Sequence, residues 1–220
     1  MRAIFFDLDG TLLDTLPDIH ENLNGALRAY GYSEVSIERT RACIGQGAEQ
    51  LVAKALPAGA EKRDACVAHF RQHYAACANV HTRPYAGAKE FLIRAKAMGF
   101  RLAVITNKSQ DATQRAVSQF FPDIFDFVEG NSGAFPCKPD PALARYAALT
   151  LRVAPADCVF VGDGETDVLT AKNAGMHSVA VLWGYRTREQ LEGVGARRFV
   201  NSYTELEKLL LDGDFFPNGG

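Results

Sequence analysis

One short segment near the start of the chain, Ala3–Phe6 followed by Asp7 and Asp9, constrains the fold most strongly. Its four apolar residues are too few for a helix and show no polar alternation, which predicts a strand buried on both faces. The run ends in two acids one residue apart, and Gly10 then allows a sharp turn. Ligands bind at the carboxyl ends of such strands in open α/β sheets. The segment therefore predicts an α/β fold with acidic groups at the end of its first strand.

The next part of the chain, up to about Thr82, has only helical periodicity. Apolar residues recur at three- and four-residue spacing around residues 19–30, 48–56 and 66–77. Pro17 near the start of the first segment and Gly31 after it are typical helix limits. Successive amphipathic helices form a small bundle with its own core. Residues 15–82, called here the helical insertion, are therefore predicted to form such a bundle.

From Arg83 onward, helical and strand patterns alternate, with strands predicted at 102–105, 127–128, 158–161 and 178–181. This alternation is typical of a parallel sheet with helices on both faces. Asp140 is predicted to cap a helix that Pro141 opens, and capping boxes are predicted at Thr187–Gln190 and Thr204–Glu207. The predicted organisation is an α/β core, residues 1–14 and 83–220, interrupted by the helical insertion and ending in a loose tail at 215–220.

Composition restricts the function classes. The chain of 220 residues has a net charge of −2, which argues against general nucleic-acid binding. It contains neither an apolar stretch long enough to cross a membrane nor a secretory signal pattern, so a cytoplasmic protein is expected. The cysteines are odd in number and lack Cys-x-x-Cys spacing, which predicts reduced, buried thiols. Cys66 and Cys77 are predicted to lie on the apolar face of a helix. The five are Cys43, Cys66, Cys77, Cys137 and Cys158.

Polar residues also follow the later strands. Thr106 and Asn107 come after one strand, Lys138 lies in a proline-rich loop, and Asp163 and Asp167 follow another strand. Hydroxyl and backbone donors suit phosphate oxygens, a fixed ammonium neutralises a phosphoryl group, and paired carboxylates suit a hard cation. Each segment alone also has an ordinary explanation, as a turn, a solvated lysine or a helix cap.

Together the segments resemble the four motifs of the haloacid dehalogenase-like hydrolases, in the same order and across essentially the whole chain. The matching residues are Asp7-Leu8-Asp9-Gly10-Thr11, Thr106-Asn107, Lys138-Pro139 and Gly162-Asp163-x-x-x-Asp167. The insertion resembles the small helical cap of the phosphoglycolate phosphatase and β-phosphoglucomutase branch. Residues 82–87 and 104–108 resemble phosphoglycolate phosphatases most closely. The resemblance implies a parallel-sheet Rossmann-like core with an inserted all-helical cap domain.

The resemblance also implies a role for each matching residue. Asp7 would attack phosphorus, and Asp9 would protonate the leaving oxygen and later deprotonate water. Mg²⁺ would be held by the Asp7 carboxylate, the Asp9 carbonyl and Asp163, with Asp167 in support. The transferring group would be bound by Thr106, the backbone of Asn107, and Lys138. Dehalogenases of the family lack an acid at position 9, so a phosphorus substrate is favoured.

The expected function is hydrolysis of a small-molecule phosphate ester, with 2-phosphoglycolate as the leading candidate. A sugar-phosphate mutase would use the same core, and it stays an alternative. A phospho-accepting signalling domain uses similar groups, but such domains are shorter and lack the inserted bundle. Neither a nucleic-acid nor a membrane partner is expected, and the sequence does not predict the oligomeric state.

Other segments could also bear on the site. His69 and His73 have metal-binding spacing but lack a third ligand, so a surface pair is expected. Residues 45–47 form a glycine loop in the insertion that is a candidate to face the substrate, and residues 183–186 are candidates to flank the site. Three basic residues of the insertion are candidates to contact a substrate carboxylate, and the alternative is that their charges are solvated. They are Arg39, Arg41 and Lys54.

Overall fold

The computed structural model describes residues 1–76, 79–211 and 215. The strands of this part of the chain are β1 (Ala3–Phe6), β2 (Leu13–Asp14), β3 (Arg83–Pro84), β4 (Arg101–Ser109), β5 (Phe127–Asn131), β6 (Cys158–Gly162), β7 (His177–Val181) and β8 (Phe199–Val200). Six of them form one parallel sheet in the order β5-β4-β1-β6-β7-β8. β1 therefore lies inside the sheet with neighbours on both sides, as its apolar sequence predicts.

The helices of the described residues are α1 (Leu16–Ala29), α2 (Ile37–Cys43), α3 (Gly47–Ala55), α4 (Arg63–Ala76), α5 (Ala88–Ala97), α6 (Gln110–Phe120), α7 (Ala142–Thr150), α8 (Glu165–Ala174), α9 (Arg188–Gly193) and α10 (Tyr203–Leu211). A 3₁₀ turn, Pro155–Asp157, precedes β6. None of these helices has the combination of length and hydrophobicity that a membrane span requires.

Alternate residues of β1 belong to two different apolar clusters. Ile4 and Phe6 pack on the side covered by α5, α6 and α10. Ala3 and Phe5 pack on the side covered by α7 and α8. Side chains of a strand point alternately to opposite faces, so the sheet is buried on both sides. This is the α/β architecture with a Rossmann-like parallel sheet that the sequence predicts.

The helical insertion has an apolar cluster of its own, built mainly from α1 to α4. Its two ends meet in a short antiparallel pair, β2 with β3, in which Leu13 is paired with Pro84 and Asp14 with Arg83. This arrangement agrees with an inserted bundle, while the exact limits of a separate cap domain, residues 15–82, stay a prediction.

The predicted helix limits are confirmed at some positions and wrong at one. The capping box at Thr187 and Gln190 is present. The Asp140 carboxylate accepts a hydrogen bond from the backbone N–H of Ala142, 2.8 Å away, although α7 begins at Ala142, one residue later than predicted, with Pro141 in the N-cap position. The box predicted at Thr204–Glu207 is wrong, because α10 begins earlier.

At the start of α10, the hydroxyl of Ser202 accepts from the backbone N–H of Glu205. The Glu205 carboxylate in turn accepts from the N–H of Asn201. The serine thus caps the helix two residues before the threonine that the pattern indicated.

Two residues, Phe215 and Cys137, differ from the prediction in their exposure to solvent. Phe215, assigned to a loose tail, is buried in the core, with Arg198 stacked over its ring at 4.8 Å. Residues 216–220 lie outside the described part of the chain. Cys137 is exposed rather than buried, because it belongs to the loop before Lys138 and not to an apolar element, whereas the other described cysteines, Cys43, Cys66 and Cys158, are buried and free. Cys77 lies outside the described residues.

Candidate active site

Three carboxylates meet at the carboxyl edge of the sheet. Asp7 follows β1, Asp163 follows β6, and Asp167 lies in the first turn of α8. One oxygen from each lies within 4.8 Å of the other two. Because β1 and β6 are parallel neighbours, their carboxyl ends bring Asp7 and Asp163 together although 156 residues separate them in sequence.

Lys138 neutralises part of this acidic cluster. Its ammonium lies 2.6 Å from the Asp167 carboxylate and 3.0 Å from that of Asp7, and the side chain is almost fully buried. Burial alone would lower the pKa of Lys138, but the attraction of Asp167 and Asp7 outweighs it and raises the pKa above that of an ordinary lysine. The lysine is therefore a fixed positive charge beside Asp7.

Asp163 is hydrogen-bonded but has no cationic partner. Its carboxylate accepts from the Thr11 hydroxyl at 2.7 Å and from the backbone N–H of Tyr185 at 2.8 Å. Neither a lysine nor an arginine of the described residues forms an ion pair with it. Burial, together with the nearby Asp7 and Asp167, raises the pKa of Asp163 to about 8.

This donor set fits a divalent cation. Three close carboxylates with one compensating lysine leave an excess of negative charge, and Mg²⁺ prefers oxygen ligands of this kind. A cation beside Asp163 would replace the proton that the buried carboxyl otherwise retains. The residues present thus suit the metal that the sequence predicts.

Thr106 and Asn107 lie within β4, which extends to Ser109 and so is longer than predicted. The Asn107 side chain joins three segments: it accepts from the backbone N–H of Lys138 at 2.8 Å and donates to the carbonyls of Lys138 and Gly45. Asn107 therefore fixes the Lys138 loop as well as the glycine loop of the insertion. Thr106 is buried and lines the same pocket as Asp7.

Asp9 has a partner that the sequence analysis did not identify. The ammonium of Lys108 lies 2.8 Å from the Asp9 carboxylate and also donates to the hydroxyl of Tyr74 in α4. Lys108 directly follows the predicted Thr-Asn pair, so its position next to the site could have been predicted from the sequence. Tyr74 instead has the spacing of a core residue in an amphipathic helix, and nothing in that pattern indicates a polar role.

The pocket above Asp7 and Asp9 is closed on one side by the helical insertion. Residues from both parts line it, including Ile19, Ile44, Gly45, Gly47, Leu51, Phe70, Arg71, Tyr74, Thr106, Asn107 and Lys108. The glycine loop at 45–47 therefore faces the pocket, as predicted for a candidate substrate contact. None of the three basic candidates of the insertion, Arg39, Arg41 and Lys54, lines it, which agrees with the solvated alternative. Arg39 donates to the carbonyl of Lys54, and the carbonyl of Arg41 accepts from Arg186.

The segment after β7 flanks the site, as predicted. Tyr185 contacts Asp163 through its N–H, and the Trp183 indole donates to the carbonyl of Thr11 at 3.0 Å. Arg186 pairs with Glu165 and donates to the carbonyl of Ile44. His69 and His73 lie apart from this site, with their rings 4.1 Å from each other, and neither belongs to a group of ligands among the described residues.

Comparisons with known proteins agree with this geometry. Residues 4–181 match the family described as haloacid dehalogenase-like hydrolase. Phosphoglycolate phosphatase from Colwellia psychrerythraea is 32% identical over 215 residues, which is 93% of this chain and 95% of that protein. Phosphoglycolate phosphatase from Cereibacter sphaeroides is 35% identical over 192 residues, 84% of this chain and 87% of the relative.

The fold has close structural relatives as well. A protein described as a predicted phosphoglycolate phosphatase from Haemophilus somnus superposes with a TM-score of 0.87 at 27% identity, covering 96% of this chain and 98% of its own. The chain belongs to the haloacid dehalogenase-like hydrolases, in their phosphoglycolate phosphatase-like branch, and is a phosphatase.

Proposed function

We propose that the protein is a Mg²⁺-dependent phosphoglycolate phosphatase that works through a phosphoryl group carried on Asp7. The observation that supports this most directly is the meeting of Asp7, Asp163 and Asp167 around the buried ammonium of Lys138. A carboxylate attacks an anionic phosphate poorly unless cations offset the repulsion, and this site supplies one fixed cation and a ligand set for another.

The metal would be held by the carboxylates of Asp7 and Asp163 and the backbone carbonyl of Asp9, with Asp167 in support. When bound, Mg²⁺ neutralises charge on the phosphoryl group and on the attacking carboxylate. Lys138 supplies a second positive charge next to Asp7. Thr106 and the backbone of Asn107 would bind the remaining phosphoryl oxygens from the carboxyl end of β4.

In the first chemical step, a carboxylate oxygen of Asp7 forms a bond to phosphorus as the bond between phosphorus and the ester oxygen breaks. Asp9 gives its proton to that oxygen, so the leaving group departs as an alcohol. In the second step, Asp9 takes a proton from a water molecule that attacks phosphorus. The bond between Asp7 and phosphorus then breaks, inorganic phosphate is released, and both aspartates return to their starting states.

The names of the relatives support phosphoglycolate as the substrate, since proteins at 32–35% identity over most of the chain are called phosphoglycolate phosphatases. A pocket roofed by apolar side chains and a glycine loop suits a small ester and limits the access of water. A mutase would have to protect the phosphorylated Asp7 from water, and these relatives favour hydrolysis. The cytoplasmic location expected from the sequence stays a prediction.

The proposal is tested by measuring phosphate release from a panel of small phosphate esters, with and without Mg²⁺. The panel includes phosphoglycolate, hexose phosphates and nucleotides. We expect phosphoglycolate to be hydrolysed best, Mg²⁺ to be required, and Asp7→Asn to lower the rate by roughly 10³-fold or more. Asp111→Asn, which changes an exposed acid in the first turn of α6, is the matched control and should retain full activity.

Two results would contradict the proposal. A folded protein that binds Mg²⁺ but releases no phosphate from any ester would not be a phosphatase of this kind. Conversion of one hexose phosphate into another, without release of phosphate, would indicate the mutase.

A further inference from the structure

Lys108 is a buried cation in the pocket for which the proposed chemistry has no role. Its side chain is only 3% exposed, although it lines the pocket beside Asp9. The ammonium contacts the Asp9 carboxylate at 2.8 Å, donates to the Tyr74 hydroxyl and lies 4.4 Å from the centre of the Tyr74 ring. Tyr74 comes from the helical insertion, so the lysine is held from both parts of the molecule.

The two buried lysines of the site serve different carboxylates. Lys138 contacts Asp7 and Asp167, where the phosphoryl group is bound in the proposed reaction. Lys108 contacts Asp9, which in that reaction gives its proton to the leaving oxygen. In that reaction, the group attached to the leaving oxygen would lie next to Lys108.

An ammonium has three donors. Among the described residues, Asp9 and Tyr74 take two of those on Lys108, which leaves one for a ligand in the pocket. The roof around it is largely apolar, with Ile44, Leu51 and Phe70 among its residues. An anionic end of the leaving group would find in Lys108 a buried partner of opposite sign.

Arg71 also lines the pocket, but its position is different. Its side chain is 50% exposed and pairs with Glu49, which is 62% exposed. Solvent weakens ion pairs of this kind, whereas a charge in a buried pocket interacts more strongly. Lys108 is thus better placed than Arg71 to select for a substrate with a negatively charged leaving group.

We propose that Lys108, held in position by Tyr74, is the specificity-determining residue for a leaving group with a carboxylate close to the ester oxygen. This inference rests on the proposed function and extends it from one candidate ester to a substrate class. Lys138 and the metal ligands act on the phosphoryl group, which all phosphate esters share. Lys108 acts on the part of the substrate by which they differ.

The test compares phosphoglycolate with 2-hydroxyethyl phosphate, a two-carbon ester that lacks the carboxylate. The ratio of their kcat/KM values is measured for the wild type and for Lys108→Met, Lys108→Arg, Tyr74→Phe and Arg71→Gln. We expect Lys108→Met to lower the preference for phosphoglycolate by roughly tenfold or more, as for loss of a charged hydrogen bond. Lys108→Arg should keep most of the preference, and Tyr74→Phe should lower it to an intermediate level.

Arg71→Gln removes the same charge from the pocket rim and is the matched control, expected to change the ratio much less than Lys108→Met does. An equal loss on both esters in Lys108→Met would overturn the inference, since the lysine would then only support Asp9. If Lys108→Met does not fold, the inference is overturned by a Tyr74→Phe variant whose ratio of kcat/KM values for the two esters equals that of the wild type. If the wild type hydrolyses both esters equally well, the role of Lys108 in specificity is overturned, but the phosphatase activity is not. If the wild type hydrolyses neither ester, the proposed function itself is contradicted.

Discussion

At the scale of single residues, close packing by glycines holds Asp163 in place. A Cβ added to Gly184 would lie 2.2 Å from the Cβ of Asp163, and one added to Gly10 would lie 2.4 Å from a carboxylate oxygen of Asp163. Gly10 also has a φ of +84°, which other residues rarely adopt. The acid can therefore occupy this position only because both neighbours lack a side chain.

We predict that Gly184→Ala displaces Asp163 and weakens Mg²⁺ binding. The added methyl group should also destabilise the fold by about 1–3 kcal/mol, as in other overpacked sites. Mg²⁺ titration followed by calorimetry, together with urea unfolding, measures both effects. Gly193→Ala is the control, since a Cβ there meets no atom within 4 Å. Unchanged Mg²⁺ affinity in Gly184→Ala would contradict the role of Asp163 as a ligand.

The raised pKa of Asp163 predicts how Mg²⁺ binding depends on pH. Between the ordinary carboxyl pKa of 3.8 and about 8, the folded metal-free protein retains a proton on Asp163 that the unfolded chain has lost. This group's contribution to the metal-free stability therefore falls as pH rises through that interval. Bound Mg²⁺ must displace the same proton, so its affinity should rise over the interval and level off above it.

The measurement is the increase in Tm on adding Mg²⁺, at several pH values from about 6 to about 9. Asp163→Asn, which cannot hold the proton, should show a small increase that depends much less on pH. An increase in Tm that is largest at the acid end would contradict the assignment.

At this scale, the sequence identified the residues that follow strands but not their partners. Asp7 and Asp163 could be predicted because the ends of parallel strands meet at one edge, whereas Lys138, which lies in a loop, was predicted from its place in the order of the family motifs. Lys108 pairs with a residue 99 positions away, and Thr11 bonds to Asp163 over 152 positions. Such pairs follow from side-chain direction in the folded chain, which no local pattern contains.

At the scale of elements, a buried acid at the start of α1 joins the two ends of the helical insertion. The Asp18 carboxylate accepts hydrogen bonds from the N–H groups of His81 and Thr82 and from the Thr82 hydroxyl, the last at 2.6 Å. Asp18 is only 1% exposed. It therefore joins the first helix of the insertion to the segment by which the chain returns to the sheet.

We predict that Asp18→Ala lowers the free energy of unfolding by about 2–4 kcal/mol, because three donors lose their acceptor and the two on Thr82 are buried. Glu21→Ala, on the exposed side of α1, should change it by less than about 0.5 kcal/mol. Urea denaturation of both variants provides the comparison. A loss in Asp18→Ala no larger than in Glu21→Ala would show that the insertion is held by other contacts.

The elements themselves were largely predictable, because amphipathic helices repeat their apolar residues every three to four positions, whereas the buried strands are short continuous apolar runs. The two-residue strands β2 and β3 were not predicted, since they are too short to show a period and form only where the ends of the insertion meet. Asp18 lies in the first turn of α1, where an acid is ordinarily explained by the helix end. Asp18 instead bonds to residues more than 60 positions away, which helix-end chemistry does not reveal.

At the scale of the whole molecule, the pocket is enclosed by contacts between the insertion and the sheet. Asn107 donates to the carbonyl of Gly45, Arg186 to that of Ile44, and Lys108 to Tyr74. Each contact joins a residue close to the acidic cluster with one of the insertion. The nucleophile Asp7 and the fixed charge of Lys138 both belong to the core, and these contacts place the roof of the insertion over them.

The most direct test of the proposed chemistry is to look for the phosphoryl group on Asp7. The protein is mixed with Mg²⁺ and phosphoglycolate, stopped with acid during turnover, digested and examined by mass spectrometry. We predict one phosphoryl group on the peptide that contains Asp7, none in Asp7→Asn, and a longer-lived group in Asp9→Asn, where water is no longer deprotonated. Turnover with no covalent phosphate at any time, or phosphate on a different residue, would contradict the central role of Asp7.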